Sequence, residues 1–276
     1  MAFINGTFYS NVLEQEVMLD LYLPNDRAEN TIKAPDGVIY FLHGMGSSQK
    51  RFREYTAANR YAMDNHLAIV YISAPMSFYT DMKYGMKYYT YITEELPQFL
   101  ASAYNLNLPR EKTFLAGLSM GGYGTLKIGL NNPDMFGAIA PFSAPTNMKQ
   151  MAATMKEVPT GSMSTFVNVY GEDLVMKDED DPWYLIKKVS ELPAEKQPRI
   201  RLMCGKQDEL AQIYKQNVEF DKYARTLPLA DYKFMSWDGG HEYAFWDRAL
   251  LHAVAFFLEN DYDENRLKLW RSEVDM

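Results

Sequence analysis

The stretch Ala116-Gly117-Leu118-Ser119-Met120-Gly121-Gly122 constrains this chain more than any other. It carries the pattern Gly-x-Ser-x-Gly, with a strand-like run, Lys112 to Ala116, leading in and a helix-compatible run, Tyr123 to Leu130, leading out. Strand, tight turn and helix in that order are what a nucleophile elbow requires. The turn forces the serine into a crowded backbone conformation, so side chains two residues to either side would collide with it. Gly117 and Gly121 avoid that collision. Gly122 leaves room for the helix to approach the sheet. The serine hydroxyl is lifted out at the end of the strand, above the helix N-terminus. A pentapeptide of this kind also arises by chance, so the remaining parts must be found elsewhere in the chain.

The flanking segments supply the frame. Residues 2–10 and 16–23 alternate or nearly so and read as an antiparallel edge pair, followed by a polar loop from Asn25 to Gly37. Val38–Leu42, Leu67–Ile72, Phe136–Phe142, Arg199–Cys204 and Asp231–Trp237 are short strand-like runs, the first two continuously apolar, as strands buried on both faces of a parallel sheet are. Helices are expected over Arg53–Asn65, Tyr91–Tyr104, Leu210–Leu227 and Tyr243–Leu258, with Pro97 marking a kink or a new first turn in the second. Repeated strand–helix units imply a mainly parallel sheet with helices on both faces. Residues 143–197 break the rhythm, although Met148–Glu157 and Trp183–Glu191 read as helices, and the region looks like an insertion or cap over a site. The acidic run Asp178-Glu179-Asp180-Asp181 has no histidine or cysteine beside it and reads as a solvated loop rather than a metal site.

Two loops at strand ends add chemistry. His43-Gly44-Met45-Gly46 follows the strand Val38–Leu42 and fits no phosphate-binding pattern. Its better use is half of an oxyanion hole, the backbone N–H of Met45 pairing with that of Met120, the residue after the serine. The aromatic loop from Phe78 to Tyr89 follows the next strand and suits a pocket wall; Tyr79 and Tyr84 are candidate substrate contacts there, with Trp183 from the central region.

A serine needs a base, and the base needs a third group to fix its tautomer. Of the four histidines, His43 shapes a strand–loop junction, His66 lies at the opposite end of the sheet, and His252 is inside the last helix. His241, in a glycine-rich loop after the final strand, shares the serine's edge of the sheet and is the preferred base. Asp208, just after the strand ending at Cys204, is the preferred acid; Glu209 is its neighbouring rival, and Asp173 and Asp238 are weaker candidates.

Order Ser…Asp…His is that of the α/β-hydrolases. The chain resembles their esterase D-like branch, which holds tributyrin and feruloyl-type esterases, S-formylglutathione hydrolases and mycolyltransferases. The likeness rests on Leu42-His43-Gly44-Met45, Glu94-Glu95-Leu96-Pro97, the serine motif, Cys204-Gly205-Lys206-Gln207-Asp208 and Gly240-His241-Glu242-Tyr243-Ala244-Phe245-Trp246-Asp247, and runs over roughly residues 5–260. It implies an α/β-hydrolase fold, with Ser119 as nucleophile, Asp208 as acid, His241 as base and Met45 and Met120 as oxyanion donors. It implies hydrolysis of short acyl, acetyl or hydroxycinnamoyl esters without a cofactor or metal, and makes a homo-oligomer reasonable. The rivals are a thioesterase acting on S-formylglutathione, for which Lys83 and Lys87 would supply basic groups, an acyltransferase, and a non-catalytic carbohydrate-binding protein.

Composition narrows the setting. With 276 residues, 47% hydrophobic and 23% charged, one α/β domain is expected. A net charge of −8 argues against nucleic acid and anionic membranes as partners and favours a neutral small molecule, which with the resemblance above is expected to be an ester. Met1 to Asp20 has no lysine, arginine or long apolar core, no run reaches a membrane span, and the single cysteine, Cys204, requires no oxidising compartment, so a cytoplasmic protein is expected.

Overall fold

The computed structural model describes residues 2–24, 33–157 and 161–259. The loop read from Asn25 to Gly37 falls largely outside these residues, as do all residues after Glu259. Eight strands form one sheet: β1 (Ala2–Ser10), β2 (Gln15–Leu23), β3 (Gly37–Leu42), β4 (Leu67–Ile72), β5 (Thr113–Leu118), β6 (Ala138–Phe142), β7 (Arg199–Gly205) and β8 (Tyr232–Trp237). Their spatial order is β1-β2-β4-β3-β5-β6-β7-β8. β1 pairs antiparallel with β2, and β2 antiparallel with β4. Every other pairing is parallel.

Side-chain alternation divides the core into two layers, because successive residues of a strand face opposite sides. Val38, Tyr40 and Leu42 of β3 join one apolar cluster, while Ile39 and Phe41 join the other. The second layer is covered by α1 (Gln49–Tyr55), α2 (Ala58–Asp64) and α10 (Tyr243–Phe257). The first is covered by α4 (Leu96–Tyr104), α5 (Met120–Asn131), α7 (Met163–Tyr170), α8 (Pro182–Ser190) and α9 (Ile213–Ala224). Among the described residues no helix is long and apolar enough to cross a membrane.

Three helix expectations need correction. The single helix expected over Arg53–Asn65 is two helices, α1 and α2, broken at Thr56 and Ala57. The helix expected from Tyr91 opens as a short turn, α3 (Tyr88–Thr90), passes through a π-helical turn (Tyr91–Glu95), and only then becomes α4, with Pro97 in its first turn. Proline has no N–H to give the carbonyl four residues back, and the wider π turn absorbs that loss. The helix expected from Leu210 starts at Ile213, because Ala211 and Gln212 are left-handed, with φ of +48° and +58°.

The central segment divides. Its helices α6 (Met148–Glu157) and α7 stand beside the cavity described below, whereas α8 buries Leu185, Ile186 and Val189 in the core layer. The acidic run is not uniformly solvated either. Asp180 is buried and pairs with the buried Lys127 at 2.6 Å, and Asp181 accepts the Trp183 N–H to cap α8.

The strand order also selects a place for chemistry. From β3 the chain crosses to β4 on one side; from β5 it crosses to β6 on the other. The adjacent ends of β3 and β5 therefore flank a crevice, and register sets Leu42 beside Gly117. The turn after β3 and the turn after β5 meet there.

Candidate active site

Ser119 occupies the turn between β5 and α5 with φ of +56°, a strained position for a non-glycine residue. The close packing that holds it there is explicit. A Cβ on Gly117 would lie 2.5 Å from the Gly121 carbonyl oxygen, and one on Gly121 would run into the Leu42 carbonyl. Helix α5 starts directly beyond the serine, with Tyr123 N–H donating to the Ser119 carbonyl at 3.0 Å. The first amides of a helix have no helical acceptor, so the Met120 N–H sits at the positive end of α5 free of intrahelical bonding.

The acid and the base arrive on two laced loops. Beyond β7, Lys206 N–H donates to the Trp237 carbonyl and Gln207 N–H to the Gly239 carbonyl, each at 3.0 Å. The Gln207 side-chain oxygen accepts the Gly239 N–H at 2.7 Å. Gly205 permits this approach, since a Cβ there would strike the Gly239 carbonyl. Asp208 and His241 are thereby brought face to face.

The three side chains form one line. His241 Nε2 is 2.9 Å from Ser119 Oγ, and His241 Nδ1 is 2.9 Å from Asp208 Oδ2. The Asp208 side chain is fully buried, while the imidazole keeps 19% of its surface exposed. An ionised carboxylate at Nδ1 keeps the proton on that nitrogen and leaves Nε2 to accept from the serine. Glu209 and Asp238 are exposed, and the imidazole's hydrogen bonds among the described residues go to Asp208 and Ser119 rather than to either of them or to Asp173.

His43 belongs to the frame. It is buried, its Nε2 accepts the Ala74 N–H at 3.1 Å, and its Nδ1 lies 2.8 Å from the Gly44 carbonyl. Burial holds its pKa below the usual histidine value. The neutral ring thus ties the turn after β3 to the turn after β4. Cys204 is also buried, and desolvation pushes its thiol pKa up, away from nucleophilic use.

Ser119, Met45 and Met120 open onto a cavity of about 460 Å³. Its walls are mostly apolar: Phe78, Pro145, Met151, Phe166 and Ile213. Gln150, Gln212, Lys215, Gln216 and Glu219 supply polar groups. The three predicted substrate contacts are not among its walls. Tyr79 is fully buried and donates its hydroxyl to the His43 carbonyl at 2.7 Å, bracing the loop from beneath. Tyr84 lies on the surface with its N–H bonded to the Asn168 carbonyl. Trp183 packs against Phe220 and Tyr223, with ring centroids 5.6 and 5.1 Å away. Lys83 and Lys87 are also absent from this cavity; Lys83 borders a second, polar one of about 350 Å³.

Sequence reasoning placed the loop from Phe78 to Tyr89 at a pocket wall without singling out Phe78, and it missed the loop at Leu210–Ile213 and the α9 residues facing the cavity. Phe78 was within reach as the first residue of the aromatic loop. Phe78 and Tyr79 are both left-handed, with φ of +47° and +55°, which no residue type at those positions announces; Phe78 borders the cavity and Tyr79 is buried beneath the loop.

Known proteins resemble this chain in sequence and in fold. The profile of a family described as "Putative esterase" matches residues 10–257. An acetyl esterase of Caldicellulosiruptor saccharolyticus is 27% identical over 265 residues, covering 92% of this chain and 97% of that relative. A solved fluorophosphonate-binding serine hydrolase of Staphylococcus aureus shares 31% identity at a TM-score of 0.80, covering 94% of this chain and 99% of that one. A solved S-formylglutathione hydrolase of the same organism shares 32% identity at a TM-score of 0.77, covering 93% and 98%.

Proposed function

This chain belongs to the esterase family, and from that premise we propose that it is a serine carboxylesterase cleaving short-chain acyl, acetyl or hydroxycinnamoyl esters through an acyl-enzyme. The observation that carries the reading is the Ser119–His241–Asp208 line at 2.9 Å per link, opening on an apolar cavity. Ser119 Oγ attacks the ester carbonyl carbon while His241 Nε2 takes its proton. Asp208 holds the Nδ1 proton and stabilises the imidazolium. The carbonyl oxygen, now negative, faces the N–H groups of Met45 and Met120. Collapse expels the alcohol, which receives its proton from His241, and a water molecule repeats the sequence on the acyl-enzyme. Beside Ser119, a cavity of about 460 Å³ far exceeds what an acetyl group fills, which supports acyl groups up to hydroxycinnamoyl size.

Hydrolysis of p-nitrophenyl acetate by the native protein and by Ser119→Ala tests this. The variant is expected to lose about 10³-fold or more in kcat with its circular dichroism unchanged. Equal rates in the two proteins would sink the reading. An acyl series from acetyl to feruloyl then sets the preference.

The likeness to an S-formylglutathione hydrolase favours a second reading, a thioesterase. Glutathione carries two carboxylates, and Lys215 is the one cationic side chain among the described residues of the cavity wall, offset by Glu219. Turnover of S-formylglutathione against that of an oxygen ester, on the same preparation, separates the two.

A further inference from the structure

The histidine loop is followed by Tyr243-Ala244-Phe245-Trp246, and the esterase reading gives Trp246 no task. Its placement is specific. The indole is 5% exposed and stands at right angles to the His241 ring, with centroids 4.9 Å apart and an interplanar angle of 89°. Its Nε1–H donates to Ser143 Oγ at 3.1 Å. Ser143 is fully buried just past β6, its backbone is left-handed at φ of +45°, and its N–H donates to the Met203 carbonyl of β7 at 2.8 Å. A strained serine, fixed by a neighbouring strand, thus presents its hydroxyl to the indole. On another side Tyr243 packs edge-on against Trp246 at 5.1 Å.

His241 needs such a support. The lacing to Gln207 fixes the backbone at Gly239 but does not touch the imidazole, which can still turn about its own side-chain bonds. Two hydrogen bonds aim the imidazole, and one of them ends on Ser119 Oγ. That bond lasts only until Ser119 is acylated. Once Ser119 is acylated, its oxygen has no proton to share, and Asp208 alone would hold the ring through Nδ1. During this interval Nε2 must stay aimed at the incoming water.

Resting on the esterase reading, we propose that Trp246, pinned by Ser143, is a positioning residue that holds the His241 imidazole in place during deacylation. Trp246 touches no substrate in this account; it blocks the swing of the ring that the lost serine bond would permit. The proposal carries a kinetic signature. Slower deacylation lowers kcat and KM together and changes kcat/KM less, and the acyl-enzyme accumulates as a burst of p-nitrophenol. A variant that merely lowers the folded fraction reduces kcat/KM and kcat alike and gives no burst.

The experiment is stopped-flow hydrolysis of p-nitrophenyl acetate by native protein, Trp246→Leu, Trp246→Phe, Ser143→Ala and the Ser143→Ala/Trp246→Phe double variant. Rates are normalised to active sites counted by fluorophosphonate labelling. Trp246→Leu is expected to slow deacylation about ten- to a hundred-fold, since small misplacement of a catalytic group has costs of that order. Trp246→Phe keeps an aromatic face and is expected to recover most of the rate. Ser143→Ala is expected to slow deacylation about threefold in the native background, the worth of one hydrogen bond. In the Trp246→Phe background, where the ring has no N–H to donate, it is expected to have no effect. A Trp246→Leu protein that deacylates within about twofold of native, per labelled site, overturns the proposal. Should that variant not fold, Ser143→Ala decides: an unchanged deacylation rate, or the same slowing in both backgrounds, overturns it. Failure of the esterase reading looks different, because Ser119→Ala would then hydrolyse the ester as the native protein does.

Discussion

Asp208 and Glu209 are adjacent in the chain, yet only one reaches the imidazole. The turn closed by Asp208 N–H on the Gly205 carbonyl, at 3.1 Å, sends Asp208 under the laced loops, while Glu209 faces solvent. The Asp208 carboxylate is buried, and no donor among the described residues meets its Oδ1, so His241 is its chief compensation. Asp208→Asn would present an amide N–H to Nδ1 and force the proton onto Nε2, where it cannot accept from the serine. A loss of about 10⁴-fold in kcat is expected, with KM near native, against no measurable change for Glu209→Gln. Steady-state kinetics of both variants on one ester checks the pair. The three side chains that meet, those of Ser119, Asp208 and His241, were legible because they follow a pattern: glycines spaced around a serine, and an acid and a histidine each just past a strand. Pocket residues carry no such pattern. Tyr79, Tyr84 and Trp183 are as aromatic as Phe78, and only the folded chain separates Phe78 on the cavity wall from Tyr79 beneath the loop, Tyr84 on the surface and Trp183 against Phe220 and Tyr223.

Elements show the same division between local and distant causes. Strands were legible in place and nearly in length, since apolar runs bounded by turns leave little choice. Helix ends were legible at Met148–Glu157 and at Tyr243, but the break between α1 and α2 and the start of α9 were not, because residues far off in sequence help to set them. Between α1 and α2, Ala57 N–H donates to Asp247 at 2.7 Å, and Tyr61 OH donates to the same carboxylate at 3.0 Å. At the start of α9, Gln216 performs the equivalent task. Its Nε2 donates to the Ala211 carbonyl at 2.8 Å and its Oε1 accepts the Asn147 N–H at 2.9 Å. Thr146 closes the clamp by donating to the Gln216 carbonyl at 3.0 Å. One buried side chain therefore joins the left-handed turn after Asp208 to the segment leading into α6, on two sides of the cavity. Gln216→Ala leaves a carbonyl and an N–H without these partners, at about 1–3 kcal/mol each if they stay dry. The expected outcome is a lower urea midpoint and a KM that rises more for a feruloyl ester than for an acetyl ester. Equal KM changes across an acyl series would show that the clamp does not shape the cavity.

At the scale of the molecule, a parallel sheet with helices on both faces was legible, because continuous apolar runs have to be covered on two sides. The order β1-β2-β4-β3-β5-β6-β7-β8 was not, although it is this order that brings the turn after β3 against Ser119. The core that the order creates has an unusual composition. Tyr71, Tyr79, Tyr91 and Tyr123 are among its largest fully buried side chains, and Tyr40 and Tyr170 are buried beside them. Burial raises the phenol pKa of each, desolvation being the leading cause in every case. The sign of the linkage follows. The folded state keeps these phenols neutral, whereas the unfolded chain ionises them near the ordinary value of about 10. A group whose folded pKa is raised contributes stability that is complete below its unfolded pKa and is lost as pH climbs toward the folded value. Stability should therefore be flat in this respect below about pH 10 and fall above it, by about 1.4 kcal/mol per pH unit for each phenol between its two values. With several such groups acting together, the protein should unfold abruptly in alkali rather than titrate gradually. Urea midpoints from about pH 8 to about pH 11, read beside the ultraviolet absorbance of tyrosinate, test this. The absorbance of the buried phenols should appear together with unfolding. Their smooth ionisation in a protein that still resists urea would show that the core admits the charge.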